Sequence, residues 1–302
     1  MADRLYTVSE FYRQKFGCKV YKLSVDAGCT CPNRDGTKGY GGCTFCSGNG
    51  SGDFAADRNL PVAAQIEQAK NLVRKKCRNG KFMAYFQNFS STYGNPENLY
   101  AKYREAAESH DIVGVTVATR PDCLSPDIVR SLAMLSGKTS VSVELGLQTS
   151  DENTAARINR CFTDSEYLCA VNRLRAAAPE IHIVTHVIFG LPGEKRQNMM
   201  ETVNFCTEAG TDGIKFTVLH VLEGTALAGE YRNGEFRCLG MEEYFGLLAD
   251  AIRILPQETV VHRLTGDGPK RILIAPLWTA DKRRVLNSMK KFLEKNGISC
   301  PK

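Results

Sequence analysis

IVGVTVATRPDCLSPDIVRSLAMLSGKTSVSVELGLQTS, residues 112–150, decides how this chain folds. It opens on a β-branched run, IVGVTVA (112–118), and closes on a second, SVSVEL (140–145). Between them 125–136 reads as a helix, with Pro126 in the first turn, where a missing N–H costs nothing. Two apolar strands joined through a helix lie parallel, because the connection recrosses the sheet instead of turning back. The unusual residues sit at the strand exits: TRPDC after the first and ELGLQT at the end of the second.

The alternation extends both ways from there. Strands are expected at 19–25, 82–86, 181–189 and 213–219, and helices at about 60–78, 96–109, 151–159 with 165–178, and 195–209. Pro96 falls in a helix first turn, and Asn-Gly at 79–80 and Ala-Gly at 209–210 mark helix ends. Six strand–helix units are too few for a closed eight-stranded barrel. The expectation is an α/β fold, a partial (β/α)6 TIM-like barrel over 19–220, preceded by an N-terminal segment, 1–18. Beyond 220 the pattern changes: a helix at 241–254, strand-like TVVHRL (259–264) and a basic helix at 281–296. These make 221–302 a small C-terminal α/β extension, expected to pack on the barrel and help bind substrate.

Of 302 residues, 43% are hydrophobic and 24% charged, the balance of a soluble globular protein. No stretch approaches the ~18 consecutive apolar residues of a membrane span, and MADRLYTVSEFYRQKFG lacks a signal peptide's apolar block. A cytoplasmic protein with no membrane partner is the expectation. Its 12 cysteines are then reduced, so their spacing has to explain them. Eight are scattered singly and read as ordinary buried thiols; Cys29, Cys31, Cys43 and Cys46 cluster. The net charge of +6, densest in DKRRVLNSMKKFLEKNG, is compatible with a polyanion without requiring one.

In a parallel barrel the loops at the C-terminal strand ends build the site. Here they carry DAGCTCPNRDGTKGYGGCTFCSGNGSGDF, QNFSSTYGNP, TRPDC, ELGLQT, GLPGE and HVLEGT, so six conspicuous loops share one mouth. The first holds a C-x2-C pair, Cys43 and Cys46, with Cys31 twelve residues upstream among glycines that let a loop wrap an inorganic cluster. Three thiolates suit a [4Fe–4S] cluster with one iron open, whereas structural zinc takes four closed ligands. Cys29 is a possible fourth thiolate, so a four-cysteine zinc site or a fully ligated redox cluster stays open at this point. The Cys29-x-Cys31 spacing is tight for zinc ribbons, and neither alternative accounts for the other five loops.

CPNRDGTKGYGGCTFC followed in order by YFQNFSSTYG, TRPDCL, VELGLQT, INR, IFGLPGE, DGIKFTVLHVLEGT and HRLTGD resembles the YhcC/YtqA (MnmL-like) family of radical S-adenosylmethionine (SAM) proteins. These are relatives of the radical SAM domain of the Elongator catalytic subunit. The match runs from about residue 20 to about 280. The resemblance implies a [4Fe–4S] cluster on the catalytic and metal-binding Cys31, Cys43 and Cys46, with Cys29 outside the set. It implies SAM on the open iron, reductively cleaved to a 5′-deoxyadenosyl radical that takes a hydrogen from the substrate. It further implies an electron donor such as flavodoxin or ferredoxin, and tRNA as substrate. The step would take a wobble uridine's 5-carboxymethylaminomethyl group toward 5-aminomethyl.

Residue roles carry over with the motifs. Ser90, Ser91 and Thr92, with Tyr93, stand where related proteins have a glycine-rich segment for the SAM amino group. Glu144 and Gln148 would bond the ribose or methionine moiety if Val143 and Leu145 face the helices. Arg160 matches an arginine that pairs with the SAM carboxylate. Gly190 would pass close to the adenine, and Glu194 either belongs there or caps the next helix. Elongator-type sequences tend to be acidic two places before Arg120, where this chain has Ala118. Phe45 covers the cluster or simply packs. Arg120, Asp122, His220 and Arg263 are candidate substrate contacts, with Lys215, His186, Thr265 and Asp267 behind them; Arg120 and Asp122 equally suit an internal ion pair. Two other classes remain: a radical SAM enzyme acting on a small metabolite or peptide, and a non-enzymatic zinc or iron–sulfur nucleic-acid-binding module.

Overall fold

The computed structural model describes residues 3–50, 55–73, 77, 80–266 and 268–300. Its centre is a sheet of seven parallel strands in chain order: β1 (Val20–Val25), β2 (Lys81–Phe86), β3 (Ile112–Thr119), β4 (Ser140–Gln148), β5 (His182–Phe189), β6 (Gly213–Val218) and β7 (Val260–Arg263). Every neighbouring pair is parallel. The middle strands are largely buried on both faces because helices cover one side and the barrel interior lies on the other.

The expected helices are α2 (Val62–Val73), α3 (Pro96–Glu108), α4 (Pro126–Ser136), α5 (Glu152–Arg157), α6 (Asp164–Ala177) and α7 (Arg196–Glu208), after α1 (Val8–Phe16), which was not expected. Their starts are chemically marked. Asn95 and Ser125 accept from the N–H three residues on, each followed by proline, and Thr7 and Thr163 head capping boxes with Glu10 and Glu166. The apolar faces of these helices and the outward side chains of the strands form one main core. Asn79, at the expected end of the second helix, lies outside the described residues.

The C-terminal part holds α8 (Ala226–Arg232), α9 (Met241–Ile254) and α10 (Lys282–Lys295). The strand expected in the extension is β7, and it does not stand apart. It pairs with β6 through Gly213–Val260 and Ile214–Val261, raising the count of sheet strands from six to seven. The periodicity of 259–264 shows a strand without showing its partner; β6, α9 and β7 continue the strand–helix rhythm across the insertion at 221–240. Residues 221–222 pair antiparallel with 273–275 beside the mouth, and 3–4 pair parallel with 298–299. Helix α1 touches both edge strands, β1 and β7, at the opposite end.

Candidate active site

Alternation along the strands sorts the interior. On β4, Val143, Leu145 and Leu147 pack in the core, while Glu144, Gly146 and Gln148 line a cavity of about 310 Å3. His186 on β5, Lys215 and Thr217 on β6 and Tyr85 on β2 share that wall. The mouth is made by loops at the C-terminal strand ends: the cysteine loop after β1, Phe89 and Ser90 after β2, Arg120 after β3, and His220 after β6. Gly190, after β5, is not part of the lining; its left-handed backbone and Leu239, 2.8 Å from where a Cβ would lie, explain the glycine. Glu194 is also off the cavity. It accepts from Thr149, and burial pushes its carboxyl up to about 7. It does not cap α7, whose N-cap is Lys195.

Cys31, Cys43 and Cys46 all line the cavity. The Cys46 N–H donates to the Cys43 carbonyl at 2.9 Å, closing a turn between the pair. Arg34 donates to the Cys46 and Ser47 carbonyls and lies against Gly42, where a Cβ would meet its Nε at 2.9 Å. The INR segment is tied to the same loop: Thr44 N–H donates to the Ile158 carbonyl, Asn33 to the Asn159 carbonyl, and Asn159 to the Gly42 carbonyl. Burial pushes the Cys43 thiol up to about 12, reinforced by Cys46 and Cys31 and opposed by Arg120. Asn33 reaches the Cys43 sulfur at 3.7 Å.

Cys29 belongs elsewhere. Its side chain is buried in the main core with Leu99 and Tyr103, and burial pushes its thiol up to about 11. Three thiols on one wall, and a fourth behind it, fit a cluster with one open iron and do not fit a closed four-thiolate site. Among the described residues no three His, Cys, Asp or Glu side chains gather closely enough for one ion. A cubane takes each thiolate on a different iron, so its ligands ring a space instead of meeting at a point.

The structure redistributes several expected contacts. Ser91 donates to the Asn88 carbonyl, and Thr92 bonds Thr119 and the Cys123 carbonyl. Both hydroxyls brace the loop after β2 away from the cavity, leaving Ser90 at the lining. Arg160 is fully buried and every nitrogen is engaged: Nε donates to the Phe162 carbonyl, and the others to the Leu147 and Thr149 carbonyls, Glu152 and Asp164. It holds the INR segment in place. Arg120 grips Asp122 with two 2.9 Å bonds and donates to the Arg160 carbonyl. Asp122 also meets Lys38 at 3.1 Å, so this pair is an internal brace. Arg120 nonetheless sets a positive charge beside Cys31 and Cys43.

Gln148 is the clearest candidate for a ligand contact. It sits at an irregularity in the β4–β5 pairing with φ +73°, and its buried side-chain oxygen has no hydrogen-bond partner. A left-handed backbone and a buried acceptor without a partner, on a residue that lines the cavity, mark a candidate binding position. Phe45 lines the cavity and packs on a small apolar cluster near the mouth. His220 is flanked by Gly266 and Gly268, either of whose Cβ would approach its ring to 2.8 Å. Asp267 lies outside the described residues, and Thr265 is buried.

The inner wall includes two groups to which the motifs assign no role, Lys22 and Tyr85. Glu144 accepts from Lys22 on one oxygen, and from Tyr85 (2.6 Å) and Lys215 (2.9 Å) on the other. Lys215 also donates to the Tyr85 hydroxyl at 2.8 Å. Burial alone would raise the Glu144 carboxyl, but Lys215 and Lys22 outweigh it and hold it well below the usual carboxylate range. Burial pushes Lys215 down to about 8 and His186 to about 3. The signal for Lys22 was available: a charge inside an apolar parallel strand has to face something polar. Because the Glu144 carboxyl is depressed on folding, its stabilisation is present above the ordinary carboxylate range and lost as pH falls through the folded value. Glu144→Gln should cost about 3 kcal/mol at neutral pH by leaving two lysines unmatched, and should flatten the acid limb of a pH–denaturation profile. An unchanged acid limb would contradict the network.

Among the described residues no helix is long and apolar enough to cross a membrane. Residues 31–206 match the Radical SAM superfamily model and residues 211–295 the Radical_SAM C-terminal domain. The chain is 43% identical to the uncharacterized protein YtqA of Bacillus subtilis (97% of this chain, 91% of that one) and 34% identical to Protein YhcC of Escherichia coli (94% and 91%). It is 25% identical to the tRNA uridine(34) acetyltransferase of Methanocaldococcus jannaschii over 66% of this chain and 36% of that one. Among solved structures, Elp3 of Methanocaldococcus infernus shares the fold with a TM-score of 0.69 at 17% identity, covering 93% of this chain and 64% of that one.

Proposed function

Because this chain belongs to the radical SAM superfamily, we propose that it holds a [4Fe–4S] cluster on Cys31, Cys43 and Cys46, binds SAM in the cavity beside it, and remodels the wobble uridine of tRNA. The observation that carries the cofactor half is the placement of three cysteines on the cavity wall together with Gln148, which lines the same space and has a buried side-chain oxygen without a partner. Cluster and SAM, when bound, supply a radical that removes a hydrogen atom from the substrate. The chain's own residues do the positioning. Arg120 offsets negative charge at the sulfurs, Asn33 donates toward Cys43, and Gln148 and Ser90 offer polar contacts. Phe45 and Phe89 limit water at the mouth.

The tRNA half is supported by the relative that acts on tRNA uridine 34 and by charge. Helix α10 buries Val285, Met289 and Leu293 and exposes Arg283, Arg284, Lys290, Lys291 and Lys295, a face suited to phosphates. The same basic surface suits an acidic electron donor of the flavodoxin or ferredoxin kind. On this reading the 5-carboxymethylaminomethyl arm goes toward 5-aminomethyl. Mass spectrometry of tRNA nucleosides from a strain lacking the gene should show the carboxymethylaminomethyl form accumulating and the aminomethyl-derived form disappearing. An unchanged wobble-uridine profile rejects the tRNA assignment.

A further inference from the structure

We propose that the inner end of the cavity is an anion subsite that takes a carboxylate of the substrate, held by Lys215 and Arg263 beside the Tyr85 hydroxyl. The proposal deepens the wobble-uridine reading and rests on it for the identity of the carboxylate, since the arm in question ends in one.

The charges there do not balance. Lys22, Lys215 and Arg263 stand around a single carboxylate, Glu144, and among the described residues no other Asp or Glu lines this cavity or the one behind it. That second cavity, about 210 Å3, is also lined by Lys19, Lys22 and His262 and shares Tyr85, Lys215 and Arg263 with the first. The two cations therefore stand between both spaces. Both Glu144 oxygens are engaged: one takes Lys22, the other Tyr85 and Lys215. Among the described residues the Arg263 guanidinium has no hydrogen bond or ion pair, although the residue lines both cavities.

The histidines add no positive charge. His186 is bonded to Thr217 and pushed down to about 3 by burial and by Lys215 and Arg263 themselves. His262 is likewise held well below its ordinary value, chiefly by burial. Lys215 is largely buried, whereas Arg263 is exposed; an excess of cations beside the buried lysine is relieved when an anion enters, which favours that anion over a neutral isostere. The planar guanidinium of Arg263 suits a carboxylate, and Lys215 supplies a third donor beyond the two it already uses.

The test reads Lys215 directly, without turnover. Acetylation by trace N-acetoxysuccinimide at pH 8 is followed by peptide mass spectrometry, with Lys290 as an exposed internal reference. Acetate or glycine should slow labelling of Lys215 at least about fivefold relative to Lys290 while acetamide does not. Arg263→Gln should abolish most of that protection, and Arg263→Lys should retain part of it. Equal protection by acetamide, stronger protection by inorganic phosphate, or full protection in Arg263→Gln would each overturn the subsite. Adding the nucleoside 5-carboxymethylaminomethyluridine separates the two readings. If acetate protects and this nucleoside does not, the subsite stands and the wobble-uridine reading fails.

Discussion

Replacing any one of Cys31, Cys43 and Cys46 by alanine should remove the cluster, while Cys29→Ala should leave it in place. The three line the cavity wall and the fourth is packed in the core behind it. Changing an outer-shell partner of a metal site costs 10–100-fold, so losing a ligand should reduce SAM cleavage by more than about 100-fold. The measurement is iron and sulfide content after anaerobic reconstitution, with the visible absorption of the cluster. Cys29→Ala should match the parent in iron per chain. Equal losses for Cys29→Ala and Cys31→Ala would restore the four-thiolate site and remove the basis for an open iron.

Arg160→Ala should be the most damaging substitution outside the cysteines, and its effect should appear in the apoprotein without SAM. Arg160 is enclosed, and its nitrogens satisfy three backbone carbonyls, Glu152 and Asp164. Removing one partner from such a network costs about 3–5 kcal/mol. At this chain length that lowers the unfolding midpoint by about 5–8 °C. Arg160→Lys keeps the charge but not the planar fork, and should fall between. A pure SAM-carboxylate role predicts the opposite pattern: an apoprotein melt close to the parent's, with weakened SAM binding alone. Because Asn159 is laced to the cysteine loop, the same substitution should also slow cluster reconstitution.

The glycine-spaced cysteine loop, TRPDC and ELGLQT were readable as site loops because parallel strands all deliver their C-terminal ends to one side. The inward direction of Glu144 and Gln148 followed from alternation with Val143 and Leu145. What alternation does not carry is the partner. Glu144 reads as a sugar or methionine contact until Lys22 and Lys215 are seen to hold it. Ser91 and Thr92 read as SAM contacts through backbone carbonyls or hydroxyls, and the fold shows their hydroxyls bonded inward. Arg160 lines the cavity where its motif placed it, with its donors already engaged by the folded loop.

The cysteine loop and the strand–helix alternation are thus properties of the sequence by itself, since each depends on spacing within a few tens of residues. The tertiary structure alone decided that Cys29 faces the core, that 260–263 completes a seventh strand, and that the cavity floor is cationic. Those outcomes rest on contacts far apart in the chain: Lys22 with Glu144 across 122 positions and Lys215 with Tyr85 across 130. No local period encodes such pairs. They exist only once strand register has brought the alternating faces of β1, β2, β4 and β6 to a common interior.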